Sequence, residues 1–161
     1  MLVLAIWLGG CAAPVAAPTV PPATESGATR LTVTVSDGGC SLGPEGTSSL
    51  AAGPIELVSV NETDARAAVD LWRLTEGGTF DELAAHVDDE RADAEAGGPG
   101  LGHPGFVTGQ ISSGIVEPGS TTTVDGTVQA GTHAIVCLRH FEAVTTDPFR
   151  PFATLGPLEA E

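Results

Sequence analysis

The chain has 161 residues, enough for one domain with a core and some tail beyond it. Its 21 acidic residues stand against six basic ones, all arginine, for a formal charge of −15. A surface of that sign repels nucleic-acid phosphates and anionic lipid headgroups, which excludes both as direct partners; it suits solubility, and the plain reading is a solvated acidic surface.

Leu2-Val3-Leu4-Ala5-Ile6-Trp7-Leu8 is an apolar run too short to span a bilayer, which takes about 20 residues. It suits the end of a signal-peptide hydrophobic region. Leu8-Gly9-Gly10-Cys11 follows and resembles the lipobox of bacterial lipoproteins: an aliphatic residue, two small residues and the cysteine that receives lipid. Residues 1–10 are therefore expected to be a lipoprotein signal peptide and Cys11 the lipidated residue. The lipid anchor would be the protein's contact with the membrane, which it would face from the periplasmic or extracellular side. A signal peptide opens with positive charge, yet no Lys or Arg precedes Arg30, so the true start is expected upstream of Met1. Residues 11–29 form an Ala/Pro-rich tether; the four prolines between Ala12 and Thr29 and the lack of large apolar side chains leave too little to bury against chain entropy.

The folded domain is expected over 30–160. Leu31 to Ser36 alternates apolar and hydroxyl residues, the period of a half-buried strand. Asp37-Gly38-Gly39 breaks it before Cys40, and a Gly/Ser/Pro-rich loop leads to Ala52-Gly53. Strands are expected from Ile55 to Asn61 and from Ala67 to Leu74, where Val69 and Leu71 face opposite Asp70 and Trp72. Thr79-Phe80-Asp81-Glu82 is a capping box that opens a short helix through Leu83 and His86. Seven acids against one arginine between Asp81 and Glu95 predict that its second half frays, and Gly97 to Gly105 reads as a flexible loop. Strands return at about Ile111–Val116, at Thr121–Val128 after the Pro118-Gly119 turn, up to Cys137, and from about Phe152 to Leu158. Seven short strands with one helical insertion argue an all-β, antiparallel Greek-key β-sandwich.

Three features carry a family resemblance: Ala52-Gly53 before a strand ending in Asn61, the Pro118-Gly119-Ser120 turn, and Ala130-Gly131-Thr132 before a strand ending in Cys137. Together they resemble cupredoxin-like domains of the plastocyanin and azurin group. The resemblance is closer to those of exported bacterial lipoproteins, including the N-terminal domain of periplasmic iron-uptake proteins. It runs from Leu31 to about Leu158 and implies the cupredoxin-like sandwich. In that family the position of His133 is usually tyrosine at the sandwich corner, and His133 is expected to replace it structurally.

A blue-copper site needs two imidazoles and a thiolate, usually with an axial methionine. Cys137 and His140 have the family's Cys-x-x-His spacing. The first histidine should follow the Asn61 turn, where Ala67 stands instead, and the single methionine is Met1. His86 and His103 would supply an imidazole only if the insertion folded over that end. Copper on Cys137, His140, His86 and His103 is therefore the alternative reading, and no cofactor is favoured. The iron-uptake domains show a similar two-cysteine pattern, and an exported compartment is oxidising, so a Cys40–Cys137 disulfide is preferred over two free thiols or copper. No hydrolase elbow, phosphate loop or His-Glu-x-x-His is present, and Asp88-Asp89-Glu90 lacks the spacing of a calcium loop. The sequence thus predicts a non-enzymatic, lipid-anchored binding domain for a protein or small ligand. The alternatives are a copper-binding or electron-transfer protein and an accessory to metal uptake.

Overall fold

The computed structural model describes residues 27–43 and 49–161, so the expected signal peptide, Cys11 and residues 11–26 of the tether lie outside the described residues. Nine strands and one helix follow in chain order: β1 (Thr29–Ser36), β2 (Gly39–Leu42), β3 (Ser49–Leu50), β4 (Gly53–Asn61), β5 (Ala67–Leu74), α1 (Phe80–Glu95), β6 (Val107–Ser112), β7 (Thr121–Val128), β8 (Gly131–His140) and β9 (Phe149–Ala160). They form two sheets, ordered β2-β1-β4-β7 and β3-β9-β8-β5-β6. Leu31, Val33 and Val35 of β1, Ile55 and Leu57 of β4, Val69 and Leu71 of β5, and Ile135 and Cys137 of β8 meet between the sheets, almost wholly buried. Burial of this kind contributes about 1.5–3 kcal/mol for each large aliphatic side chain.

The β-sandwich with one helix is the expected class, and β5 and β7 have the expected bounds. Strand direction differs from expectation. β1 pairs β4 in parallel, and β3 pairs β9 in parallel, so both sheets are mixed rather than purely antiparallel. Alternation in a sequence identifies a strand but is blind to its direction, which here depends on how the chain passes from β2 in one sheet to β3 in the other. The expected strand at Ile111–Val116 also moves back to Val107–Ser112, with Val116 reduced to a single bridge to Ala67.

The helix packs along β9 and covers the outer side of β5 and β8, where Leu83 and Val87 meet Trp72, Leu74, Ala134 and Val136. Leu83, Val87, Glu90 and Ala94 are buried at spacings of four, three and four, one face of the helix. Its capping box forms as expected: the Thr79 hydroxyl accepts from the Glu82 amide at 3.2 Å, and the Glu82 carboxylate accepts from the Thr79 amide at 3.0 Å. The acidic second half does not fray; the helix runs to Glu95 because Glu90 and Asp93 turn inward onto Arg150. The glycine-rich loop after it is tied down as well, with the Leu101 and Gly102 amides donating to Glu90 at 2.8 Å and the Gly100 amide to Asp93 at 2.7 Å. Glycine is required at 100, where φ is +92° and a Cβ would overlap the Arg150 guanidinium.

Candidate functional site

β8 is a continuous strand from the Gly131 turn to His140, paired throughout with β9 up to His140 opposite Phe149. Both register shifts along that pair place the extra residues on β9, so β8 itself alternates regularly. His133, Ile135 and Cys137 therefore point between the sheets, as expected, while Ala134, Val136 and Leu138 point toward the helix. The His133 ring is buried and shares a hydrogen bond between Nδ1 and the Gly131 carbonyl at 3.0 Å. Burial, above all, holds its pKa below the ordinary 6.5; the nearby Arg73 charge acts in the same sense, while the Gly131 bond and Glu159 oppose them.

Cys137, wholly buried, is disulfide-bonded to Cys40, with Cα atoms 6.5 Å apart. Cys40 lies on β2 of one sheet and Cys137 on β8 of the other, so the bond staples the sandwich across its core. Closing a segment of 97 residues contributes about 4–5 kcal/mol in the chain-entropy account.

His140 lies three positions beyond Cys137 on the same regular strand, and an odd offset puts the two side chains on opposite faces. Its backbone amide donates to the Arg66 carbonyl at 2.8 Å, and its ring meets Phe149 edge-on at 5.6 Å. Arg66 covers the Phe149 ring, and Arg139, on the Cys137 face, covers Phe141 and Phe152 at 4.7 and 5.1 Å. A concavity of about 680 Å³ opens at this end, lined by Asp64, Arg66, Glu117, Arg139, His140 and Glu142 among others.

The turn after β4 keeps its architecture without a ligand. The buried Asn61 amide donates to the Ala65 and Val116 carbonyls at 2.8 and 2.9 Å, and its oxygen accepts from the Thr63 amide and hydroxyl. Ala67, where the family resemblance places the first histidine, is buried in the core. His86 and His103 do not fold over this end. His86 Nε2 lies 3.0 Å from the Gly102 carbonyl, and the His103 ring stacks on Trp72 at 4.4 Å, both on the helix side of the sheet. The sheet thus stands between these rings and Cys137. A thiolate-and-two-imidazole copper centre does not fit this arrangement: the sulfur is bonded to Cys40, and His86, His103 and His140 lie on the other face. Among the described residues no three His, Cys, Asp or Glu side chains are grouped to hold a metal ion.

Sequence reading overlooked a buried polar cluster under the helix. Asp70, Glu90 and Arg150 are all buried there, with Arg150 bonded to Glu90 at 3.2 Å and to Asp93 at 3.6 Å. The available signal was Asp70 and Trp72 alternating with apolar residues in β5, which marks a second face without saying what covers it.

No protein-family model matches this sequence, and no curated protein is significantly similar to it. Solved structures with a distant likeness to the chain do exist. Auracyanin A of Chloroflexus aurantiacus, described as a "blue" copper protein, is 16% identical, with a TM-score of 0.48 over 84% of this chain and 100% of that one. Auracyanin of Roseiflexus castenholzii is also 16% identical, with a TM-score of 0.44 over 83% of this chain and 98% of that one. Auracyanin B is 15% identical, with a TM-score of 0.43 over 85% of this chain and 91% of its own. The domain is a two-sheet β-sandwich with a single helix. Among the described residues no helix is long and apolar enough to cross a membrane.

Proposed function

We propose that this protein is a non-enzymatic cupredoxin-like binding domain of the bacterial cell envelope, held to the outer face of the membrane by lipid on Cys11. One observation carries the binding reading: the cysteine of the Cys-x-x-His motif is joined to Cys40 in the core. A sulfur in a disulfide has no lone thiolate to give copper, and the bond stabilises the sandwich instead. The anchoring part rests on the Leu8-Gly9-Gly10-Cys11 motif and the Ala/Pro-rich stretch after it.

The copper-carrier or electron-transfer reading, which the blue copper neighbours bring to mind, needs a free Cys137 and a His140 on the same side of β8. Copper(II) titration of the oxidised full chain, followed by absorbance and calorimetry, separates the two. The expected result is no blue colour and no stoichiometric binding that His140→Ala abolishes. An intense blue band that Cys137→Ser removes would overturn the proposal. For the anchor, Cys11→Ser is expected to shift the protein expressed in a bacterium from the detergent phase to the aqueous phase.

A further inference from the structure

Where β6 and β7 meet at the edges of the two sheets, the core opens into a cavity of about 160 Å³. Leu71, Ile111 and Val128 give it apolar walls, and Arg73, Gln129 and His133 bring polar groups to it. Gly126 lets those walls close, since a Cβ there would lie 2.6 Å from Ile111 Cδ1. Arg73 and His133 stand directly opposite each other on β5 and β8. His133 is 4% exposed, and its Nδ1 lies 3.0 Å from the Gly131 carbonyl, which can only accept. The proton of the neutral ring is therefore on Nδ1, and Nε2 offers a lone pair. Burial favours that neutral form. Nε2 has no partner among the described residues and is not one of the sealed polar atoms, so it is open to the cavity. The Arg73 guanidinium is open as well: Nη1 donates to Gln129 Oε1 at 3.1 Å and Nε is sealed, but Nη2 is neither bonded nor sealed. No carboxylate lines the cavity, and Arg73 has no ion pair among the described residues.

We propose that this cavity binds a small 2-hydroxy carboxylate, its acid group on Arg73 Nη2 and its hydroxyl donating to His133 Nε2. An accessible guanidinium with no carboxylate beside it selects an anion, and a planar carboxylate matches it. A bare imidazole nitrogen needs a donor, which an ionised carboxylate lacks, so the ligand must carry a hydroxyl as well. A 2-hydroxy acid sets that hydroxyl next to its acid group, as His133 is set next to Arg73. The apolar walls receive a short hydrocarbon tail. Size sets the upper limit: an apolar cavity of about 150 Å³ holds benzene, so roughly six or seven heavy atoms fit here. The site lies at the opposite end of β8 from His140. It goes beyond the binding reading above, which names no ligand: a blue band on copper titration would strike that reading, and a failed acid titration would strike this ligand alone.

The test is calorimetric titration of the oxidised full chain, near neutral pH, with 2-hydroxybutyrate and with butyrate, the same acid without the hydroxyl. Saturable one-to-one binding is expected for 2-hydroxybutyrate, with butyrate about fivefold weaker for want of one hydrogen bond. Arg73→Gln is expected to weaken both acids about tenfold or more. His133→Phe should remove the advantage of the hydroxy acid and leave butyrate within about twofold, a split that mere loosening of the fold would not produce. Glu142→Gln, at the other end of the sandwich, should change neither. Should either cavity variant fail to fold, the two acids on the native chain still decide the matter. Equal binding of both, or saturable binding of neither, as for a cavity that holds only water, would overturn the proposal. So would binding that a folded Arg73→Gln leaves unchanged.

Discussion

The two faces of the β5–β8 pair have been put to opposite uses. On the inner face, Val69, Leu71 and Ile135 pack around a disulfide, and the two thiols there have been consumed in holding the sheets together. On the outer face, the alternate residues of the same β5 strand include Asp70, buried under a helix and a loop with one oxygen that nothing among the described residues satisfies. The Cys-x-x-His spacing drew attention to the first face, whereas the buried polar cluster of Asp70, Glu90 and Arg150 is on the second.

The sharpest way to break this contrast is to remove the staple. Cys40→Ser with Cys137→Ser, or reduction of the native bond, is expected to lower stability by about 4–5 kcal/mol in urea unfolding. A loss below about 1 kcal/mol would mean that the bond contributes little beyond ordinary core packing. Next in size is Glu90→Ala, which leaves the buried Arg150 guanidinium with Asp93 and the Gly98 carbonyl and is expected to cost about 3–5 kcal/mol. Its amide exchange should also rise selectively at Leu101 and Gly102, whose N–H groups lose their acceptor.

A smaller effect is expected at the helix start. Thr79→Ala removes the hydroxyl that receives the Glu82 amide and should cost about 1 kcal/mol, read as a shift in the urea midpoint without a change in slope. Last is the corner histidine. Because burial lowers the folded-state pKa of His133, the unfolded chain takes up its proton first as pH falls. Its contribution is therefore full above about pH 6.5, declines as pH drops from there toward the lowered folded value, and levels off below it. Unfolding measured from pH 8 to 5 should show a steeper decline for the native chain than for His133→Phe; parallel curves would assign that slope to other groups.

Much of this was legible in the residues. The alternation of β5 and β7 placed both strands with their bounds, and the capping box placed the start of the helix, because these signals depend on neighbours a few positions apart. The pairing of Cys40 with Cys137 followed from the family resemblance and an oxidising compartment. His140 was harder to place: Cys-x-x-His has one meaning if the chain turns after the cysteine and another if the strand continues, and only the pairing with Phe149 shows that it continues.

The sequence by itself determined the class of fold, the strand faces and the helix cap, since each rests on local periodicity or on a side chain reaching its own backbone. The tertiary structure alone decided strand direction, the face on which His140 lies, and the meeting of Asp70, Glu90 and Arg150 from β5, α1 and β9. Those depend on contacts between segments up to 110 residues apart, from Asp70 and Arg150 around one cavity to Ser49 and Glu159 on paired strands, where no short-range pattern records which elements will meet.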